Sequence, residues 1–224
     1  APEYTLFTGE EISGNVKESI TALFAEGDVY LTNYVAAKLG ARAEHSKILN
    51  KMNIAPRISV AYKLSDKSQA SVAYGIFYQW PETRYLPATV PLVYAKATHY
   101  VAQYQHMNSE QSFRAEVFYK RYQNLLKTGM VANREVAVST DGYGDAKGFE
   151  LFWRDRKSLK GFDYWISYSY LDTERDYLNF PTAMQPHFAA KHTGSVVVKK
   201  FVTGLKTQFN GSYTFASARP YYNL

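Results

Sequence analysis

The chain has 224 residues, 46% of them hydrophobic, enough to bury a core in one or two ordinary domains, and it lacks cysteine, which excludes disulfides and thiolate metal sites. Its formal net charge is +6, but the 26 Lys and Arg residues are scattered through turns and alternate positions without forming a stripe, which argues against nucleic acid as a partner. No run approaches the roughly 18 apolar residues of a transmembrane helix, whereas 20 tyrosines, 13 phenylalanines and 3 tryptophans favour strands and could supply the aromatic girdles of a membrane barrel.

Ala1–Asn15, with Pro2, Gly9 and Gly14 and little periodicity, reads as the end of a loop. The first strand pair covers about residues 16–44, with Lys17–Glu26 as its first strand and a turn at Glu26-Gly27-Asp28. In its second member Val29, Leu31, Val35, Ala37, Leu39 and Ala41 fall on one side and Tyr30, Thr32, Tyr34, Lys38, Arg42 and Glu44 on the other. Ser46–Ala55 reads as a loop, and a pair over about residues 56–80, turned at Ser65–Ser68, alternates strictly. Ile58, Val60, Val72 and Tyr74 share one face of it, opposite Arg57, Ser59, Ser71 and Ala73. Pro81–Lys96 is a loop because Pro81, Pro87 and Pro91 interrupt strand pairing.

The third pair covers about residues 97–125 around a turn at Asn108-Ser109-Glu110, and Leu125–Gly144 reads as the next long loop. That loop runs into Asp141-Gly142-Tyr143-Gly144-Asp145, a Gly-rich surface turn lacking the alternating oxygen ligands and closing Glu of a calcium loop. The fourth pair, about residues 145–172, turns at Lys157–Gly161; the aromatic loop Asp172–Ala189 follows. The fifth, about residues 190–217, turns at Lys200–Gly204 and ends in the strand Leu205–Ala216.

The expected fold is all-β: one domain over residues 1–224, an antiparallel up-and-down meander of about ten long strands without a plug domain. Tight turns at one end and long loops at the other are how a transmembrane barrel is written. Strands of roughly ten residues, at about 3.3 Å each, cross a hydrocarbon layer, whereas soluble strands average about five or six.

Chemistry is sparse. His45, His99, His106, His187 and His192 show no metal-ligand spacing, and no nucleophile-and-base pair or phosphate-binding glycine loop is present. An enzyme or a cofactor is therefore not expected. Arg114, Glu116, Lys120, Glu150 and Arg154 sit on polar faces of neighbouring strands, as a substrate-conducting wall or, preferably, a lattice of cross-strand ion pairs lining a wet lumen. Tyr85, Tyr143, Tyr177 and His187 are the loop residues chosen as ligand candidates.

Several runs carry a resemblance. Gly148–Glu150, Ser167–Tyr170, His192-Thr193 and Ala218–Tyr221, in that order, with the hairpin Pro56–Pro81 and the strand Ala95–Tyr104, resemble the mid and late barrel strands of bacterial TonB-dependent outer-membrane receptors. The resemblance covers most of the chain and implies the C-terminal half of a 22-stranded barrel. It also implies outer-membrane lipid around the wall and a scarce extracellular nutrient such as an iron complex, cobalamin or glycan. Coupling to the TonB energy complex would run through a plug not seen in this sequence. Further strands are expected on both sides, because Arg219–Asn223 resembles the start of another loop. Two rivals remain: a complete ten-stranded outer-membrane barrel acting as enzyme or channel, and a soluble antiparallel ligand-binding sheet.

Overall fold

The computed structural model describes residues 17–86, 90–131 and 134–223; the leading stretch Ala1–Asn15 and Pro87 of the proline-rich loop lie outside them. Ten strands form a single antiparallel sheet: β1 (Ile20–Tyr30), β2 (Val35–Ser46), β3 (Lys51–Ser65), β4 (Ser68–Gln79), β5 (Ala95–Met107), β6 (Gln111–Val131), β7 (Arg134–Asp155), β8 (Phe162–Asp176), β9 (His192–Val202) and β10 (Thr207–Ala216). Each pairs only with its neighbours in sequence, so the order is β1 to β10 and the connections are a plain meander. The outer edges of β1 and β10 pair with no strand among the described residues, so the sheet is open rather than a closed ten-stranded barrel.

Five boundaries differ from the sequence reading, the Asp172–Ala189 loop among them, because β8 stays in register with β7 from Lys147↔Asp172 to Tyr143↔Asp176. Glu26-Gly27-Asp28 is not a turn: β1 stays in register with β2 from Ile20↔Ser46 to Tyr30↔Ala36, and Lys38 lies across the pair, 3.1 Å from Glu26 and 3.6 Å from Asp28. The acids that suggested a turn are cross-strand partners of a lysine. The chain turns at Leu31–Tyr34 instead, where the Thr32 hydroxyl accepts from the backbone N–H groups of Tyr34 and Val35 at 3.1 and 3.0 Å, a common Thr-turn device. Ser46–Ala55 shrinks to the four-residue turn Lys47–Asn50, and the last hairpin turns at Thr203–Lys206, with Lys206 left-handed at φ 48°.

Leu125–Gly144 is the largest difference, because it is strand almost throughout. β6 and β7, 21 and 22 residues long, rise together beyond the other strands. Counting from Lys120, the β6 arm extends roughly 35 Å at about 3.3 Å per residue. Alternation breaks where Asn124 adopts φ 56° and the register shifts between Gln123 and Thr128, so a period-two reading loses the strand there. Gly142 and Gly144 are close-packing residues rather than turn residues. A Cβ on Gly142 would lie 2.5 Å from the Asp176 carbonyl oxygen and 2.6 Å from that of Leu125, and one on Gly144 2.5 Å from that of Glu174.

The register sorts the side chains into two faces with opposite chemistry. Ile58, Val60, Val72, Tyr74, Tyr100, Ala102, Val117, Tyr119, Phe149, Leu151, Ile166, Tyr168, Val196 and Tyr213 share one face. Arg57, Ser59, Ser71, Gln103, Glu116, Lys120, Glu150, Ser167, Ser169, Ser195 and Ser212 share the other. The apolar face carries two aromatic belts. Near the short turns Tyr104, Phe113 and Trp153 stack with centroids 6.1 Å apart. Toward the loops Tyr74, Tyr100 and Tyr119 follow one another at 5.2 and 6.2 Å, and Phe149 packs on Tyr168 and Tyr170. Just beyond the second belt charge returns, with Lys147 and Asp172 ion-paired at 3.4 Å.

Large apolar side chains stay exposed across this face; Val117 is 56% accessible and Val72 59%. In water such a surface carries a large hydrophobic penalty, and in hydrocarbon none. Among the described residues a conventional core is found at the loop end, where Tyr85, Leu92 and Ala137 are buried against Leu49, Leu86, Val90 and Leu126. There Tyr85, Leu86, Val90 and Leu92 pack on Leu126 and Ala137 of the β6–β7 arm and on Leu49 of the β2–β3 turn.

Candidate functional site

The polar wall can be followed strand by strand from the short turns to the loops. At the bottom Arg154 of β7 donates to both carboxylate oxygens of Asp163 on β8, at 3.0 and 2.7 Å, a bidentate pair that fixes the guanidinium plane. Its Cζ also lies 5.6 Å from the Trp165 ring, which Lys199 of β9 approaches at 4.9 Å. One level up is a shallow recess of about 360 Å³ lined by Arg114, Glu150 and Phe152 and by the hydroxyl side chains Ser167, Thr193 and Ser195. Ser167 and Ser195 share a hydrogen bond of 2.7 Å. Glu116 and Glu150 face each other directly in register, a repulsive placement of like charges.

The next level is cationic and aromatic. Lys120 Nζ sits 4.7 Å from the Phe118 ring and pairs in register with His99; His99 packs on Phe77 at 4.5 Å, and Arg57 Cζ lies over the same Phe77 at 4.6 Å. At the mouth, Arg175 of β8 crosses Gly144 to lie 4.2 Å over Tyr122 of β6, with Phe188 at 5.3 Å and Tyr177 at 5.9 Å. Arg175 has no ion-pair partner among the described residues, and its buried Nε has no hydrogen bond there. Partial burial raises the Tyr177 phenol pKa, with Arg175 pulling the other way. The loop that carries this cluster is tied to the β6–β7 arm: Lys127 Nζ donates to Asp176 Oδ1 at 2.5 Å, and the Leu178 N–H donates to the Leu126 carbonyl at 2.7 Å.

All five wall residues chosen from sequence lie on the polar face, but they do not form the ion-pair lattice preferred there. Of the five, only Arg154 has a salt-bridge partner among the described residues, Asp163 of β8. The loop candidates separate. Tyr177 belongs to the Arg175 cluster, and His187 packs on Phe180 at 5.7 Å and Tyr222 at 5.1 Å, its Nδ1 3.2 Å from the Pro220 carbonyl. Tyr85 is 3% exposed in the loop-end core, where burial first and then the Glu135 charge push its phenol up to about 12. Tyr143 pairs with Gln123 on the side of the sheet opposite Arg175. Arg57, Phe77, His99, Tyr122, Arg175 and Phe188 were not singled out, although the period-two parity of β8 puts Arg175 with Ser167 and Ser169. Among the described residues no cluster of three or more His, Asp or Glu could hold a metal.

A family model described as TonB dependent receptor-like, beta-barrel, matches residues 1–224. No curated protein matches significantly in sequence. Among solved structures, the outer membrane transporter YddB from Escherichia coli is similar with a TM-score of 0.75 at 13% identity, over 92% of this chain and 34% of that one. The siderophore receptor PirA from Pseudomonas aeruginosa gives 0.69 at 11% identity, over 90% and 39%. The FrpB iron transporter from Neisseria meningitidis gives 0.65 at 13%, over 86% and 32%. The chain thus spans about a third of the length of these structures, and at such identities the likeness is one of fold. Matched over its whole length by the family model, the chain belongs to the TonB-dependent receptor β-barrel family of the bacterial outer membrane.

Proposed function

We propose that this chain is a section of barrel wall in a receptor for active uptake of a scarce nutrient. Its apolar face meets outer-membrane lipid, its polar face lines the lumen, and its long-loop end faces outside. Within the nutrient classes open to the family, the wall favours an anionic chelate of the siderophore class over a neutral glycan or cobalamin. The observation that carries this is Arg175, a guanidinium framed by Tyr122, Tyr177 and Phe188 without a carboxylate partner among the described residues. Such a site offers an anion both charge and a planar aromatic surround. Lys120 and Arg57, deeper in the wall, continue the same sign toward the lumen. Release inward draws on the TonB complex through a plug.

The test is binding of radiolabelled ferric catecholate, ferric citrate, cobalamin and a neutral oligosaccharide to cells expressing the intact receptor. A ferric chelate should bind, and Arg175→Ala should weaken it about tenfold or more, as expected for a lost charge-assisted contact. Binding of the oligosaccharide alone, indifferent to Arg175→Ala, would refute the anionic preference. For sidedness, an epitope tag in the loop of residues 81–94 or 177–191 should be seen by antibody on intact cells, and a tag at Asp66–Ser68 should not.

A further inference from the structure

The short-turn rim of β8–β10 differs from the rest of the apolar face. Lys200 lies on that face, in register with Phe162 on one side and Phe209 on the other, its Nζ 4.4 Å from the Phe162 ring. Every other Lys or Arg that the register places on the apolar face, Lys96, Arg121 and Lys147, lies toward the loops. The two turns flanking Lys200 each present a leucine followed by a lysine: Leu159-Lys160 between β7 and β8, and Leu205-Lys206 between β9 and β10. Leu159 is 54% exposed and Leu205 66%.

Nearby acids are already engaged. Asp163 is held by Arg154, Glu110 lies 4.0 Å from Lys157, and Asp155 accepts from Gln111 and from the backbone and hydroxyl of its own turn. Lys160, Lys200 and Lys206 have no ion-pair partner among the described residues. The other short turns lack the leucine-lysine pair: Leu31–Tyr34 and Asn108-Ser109-Glu110 have no cation, and in the Ser65–Ser68 turn Lys67 follows an acid, Asp66, which Lys63 of β3 pairs at 2.6 Å.

Resting on the membrane placement proposed above, we infer that the β8–β10 short-turn rim is a docking surface for anionic phospholipid headgroups, with Lys200 at its centre and Lys160 and Lys206 at its sides. The surface is continuous with the apolar face, so its occupant must be apolar on one side and anionic on the other. A phospholipid meets both demands: Leu159 and Leu205 reach acyl chain while the ammonium groups extend past them to phosphate. An acidic soluble protein would meet only the charge.

The test uses the intact receptor in nanodiscs of equal parts phosphatidylglycerol and phosphatidylethanolamine, with native mass spectrometry of lipid retained after mild delipidation. Wild type should retain phosphatidylglycerol preferentially, and the triple variant Lys160→Glu, Lys200→Glu, Lys206→Glu should lose that preference. Each single Lys→Gln change should weaken it by about fivefold, the usual worth of one basic residue at an anionic surface, and each Lys→Glu change by more. Lys67→Glu, in a neighbouring short turn, should leave it unchanged. If the triple variant does not insert, the matching Lys→Gln set reads the same loss. Equal retention of both lipids by wild type, or an undiminished preference in the triple variant, overturns the inference. So does a triple variant that keeps its lipid preference but loses capture of an acidic protein. Insertion is scored separately by heat-modifiable gel mobility, so failure of wild type to insert would count against the membrane placement and not against headgroup docking.

Discussion

Two regions of one sheet obey opposite rules. Between the aromatic belts, Val72, Val117 and Ile166 stay exposed on the apolar face, while Glu116 and Ser167 lie on the polar one. Above the belts, on the β6–β7 arm, apolar side chains turn to each other: Leu92, Tyr85 and Ala137 are buried and Lys127 pairs with Asp176. The same two strands, β6 and β7, run through both regions, with the register shifts of Gln123–Thr128 between them. On the membrane placement proposed above, what changes is the medium each region is written for, hydrocarbon below and water above.

The sharpest way to break this comparison is a charge on each side of the boundary. Val117→Arg should cost about 2 to 4 kcal/mol in folding titrations in lipid vesicles. Met130→Arg, at a position 68% exposed on the arm, should stay within about 0.5 kcal/mol, the range of ordinary surface substitutions. A water-soluble thiol reagent should likewise label cysteine at Glu116 and spare cysteine at Val117. Equal labelling, or equal costs for the two arginines, would erase the distinction between the regions.

Next in size, Leu92→Ala should cost about 2 to 3 kcal/mol, the low end for a buried leucine truncation because this core is small. The loss should be local. Hydrogen exchange should speed up in the Pro81–Tyr94 loop and on the arm and stay unchanged at Val117.

A pH test sharpens the same contrast. The Tyr85 phenol, raised by burial and by Glu135 to about 12, favours the folded loop while it is neutral. Its contribution is therefore complete below the unfolded phenol value near 10 and is lost as pH rises from there through about 12. Exchange in the Pro81–Tyr94 loop should accelerate over that window in wild type and lose this step in Tyr85→Phe. An unchanged alkaline step in Tyr85→Phe would show that another group sets it.

The smallest effect is expected at the tie between loop and arm. Lys127→Met should cost under about 1 kcal/mol, since the pair is partly solvated. It should show as faster exchange at Leu178, whose N–H bonds to the Leu126 carbonyl.

The sequence by itself determined the strand count, the meander and the two faces of the wall. Each rests on period-two alternation that no tertiary contact has to correct, as in Ile58, Val60, Val72 and Tyr74 or in Ile166 and Tyr168. Register in a half-apolar sheet is strongly specified because a one-residue slip would turn every side chain over. The wall residues Arg114, Glu116, Lys120, Glu150 and Arg154 were legible for the same reason. Only the tertiary structure decided matters that depend on a partner far away in sequence. Glu26 and Asp28 look like a turn until Lys38 lies across from them. Gly142 and Gly144 look like a loop until the backbones of β6 and β8 press on both sides. Tyr85 and Tyr143, alike as loop tyrosines, part ways because one is covered by the β6–β7 arm and the other sits on the outward side of β7. Arg175 becomes a candidate only when Tyr122, 53 positions earlier in the chain, is brought under its guanidinium. Alternation encodes which way a side chain points; what it meets there is set by register and loop docking, which are properties of the assembled sheet.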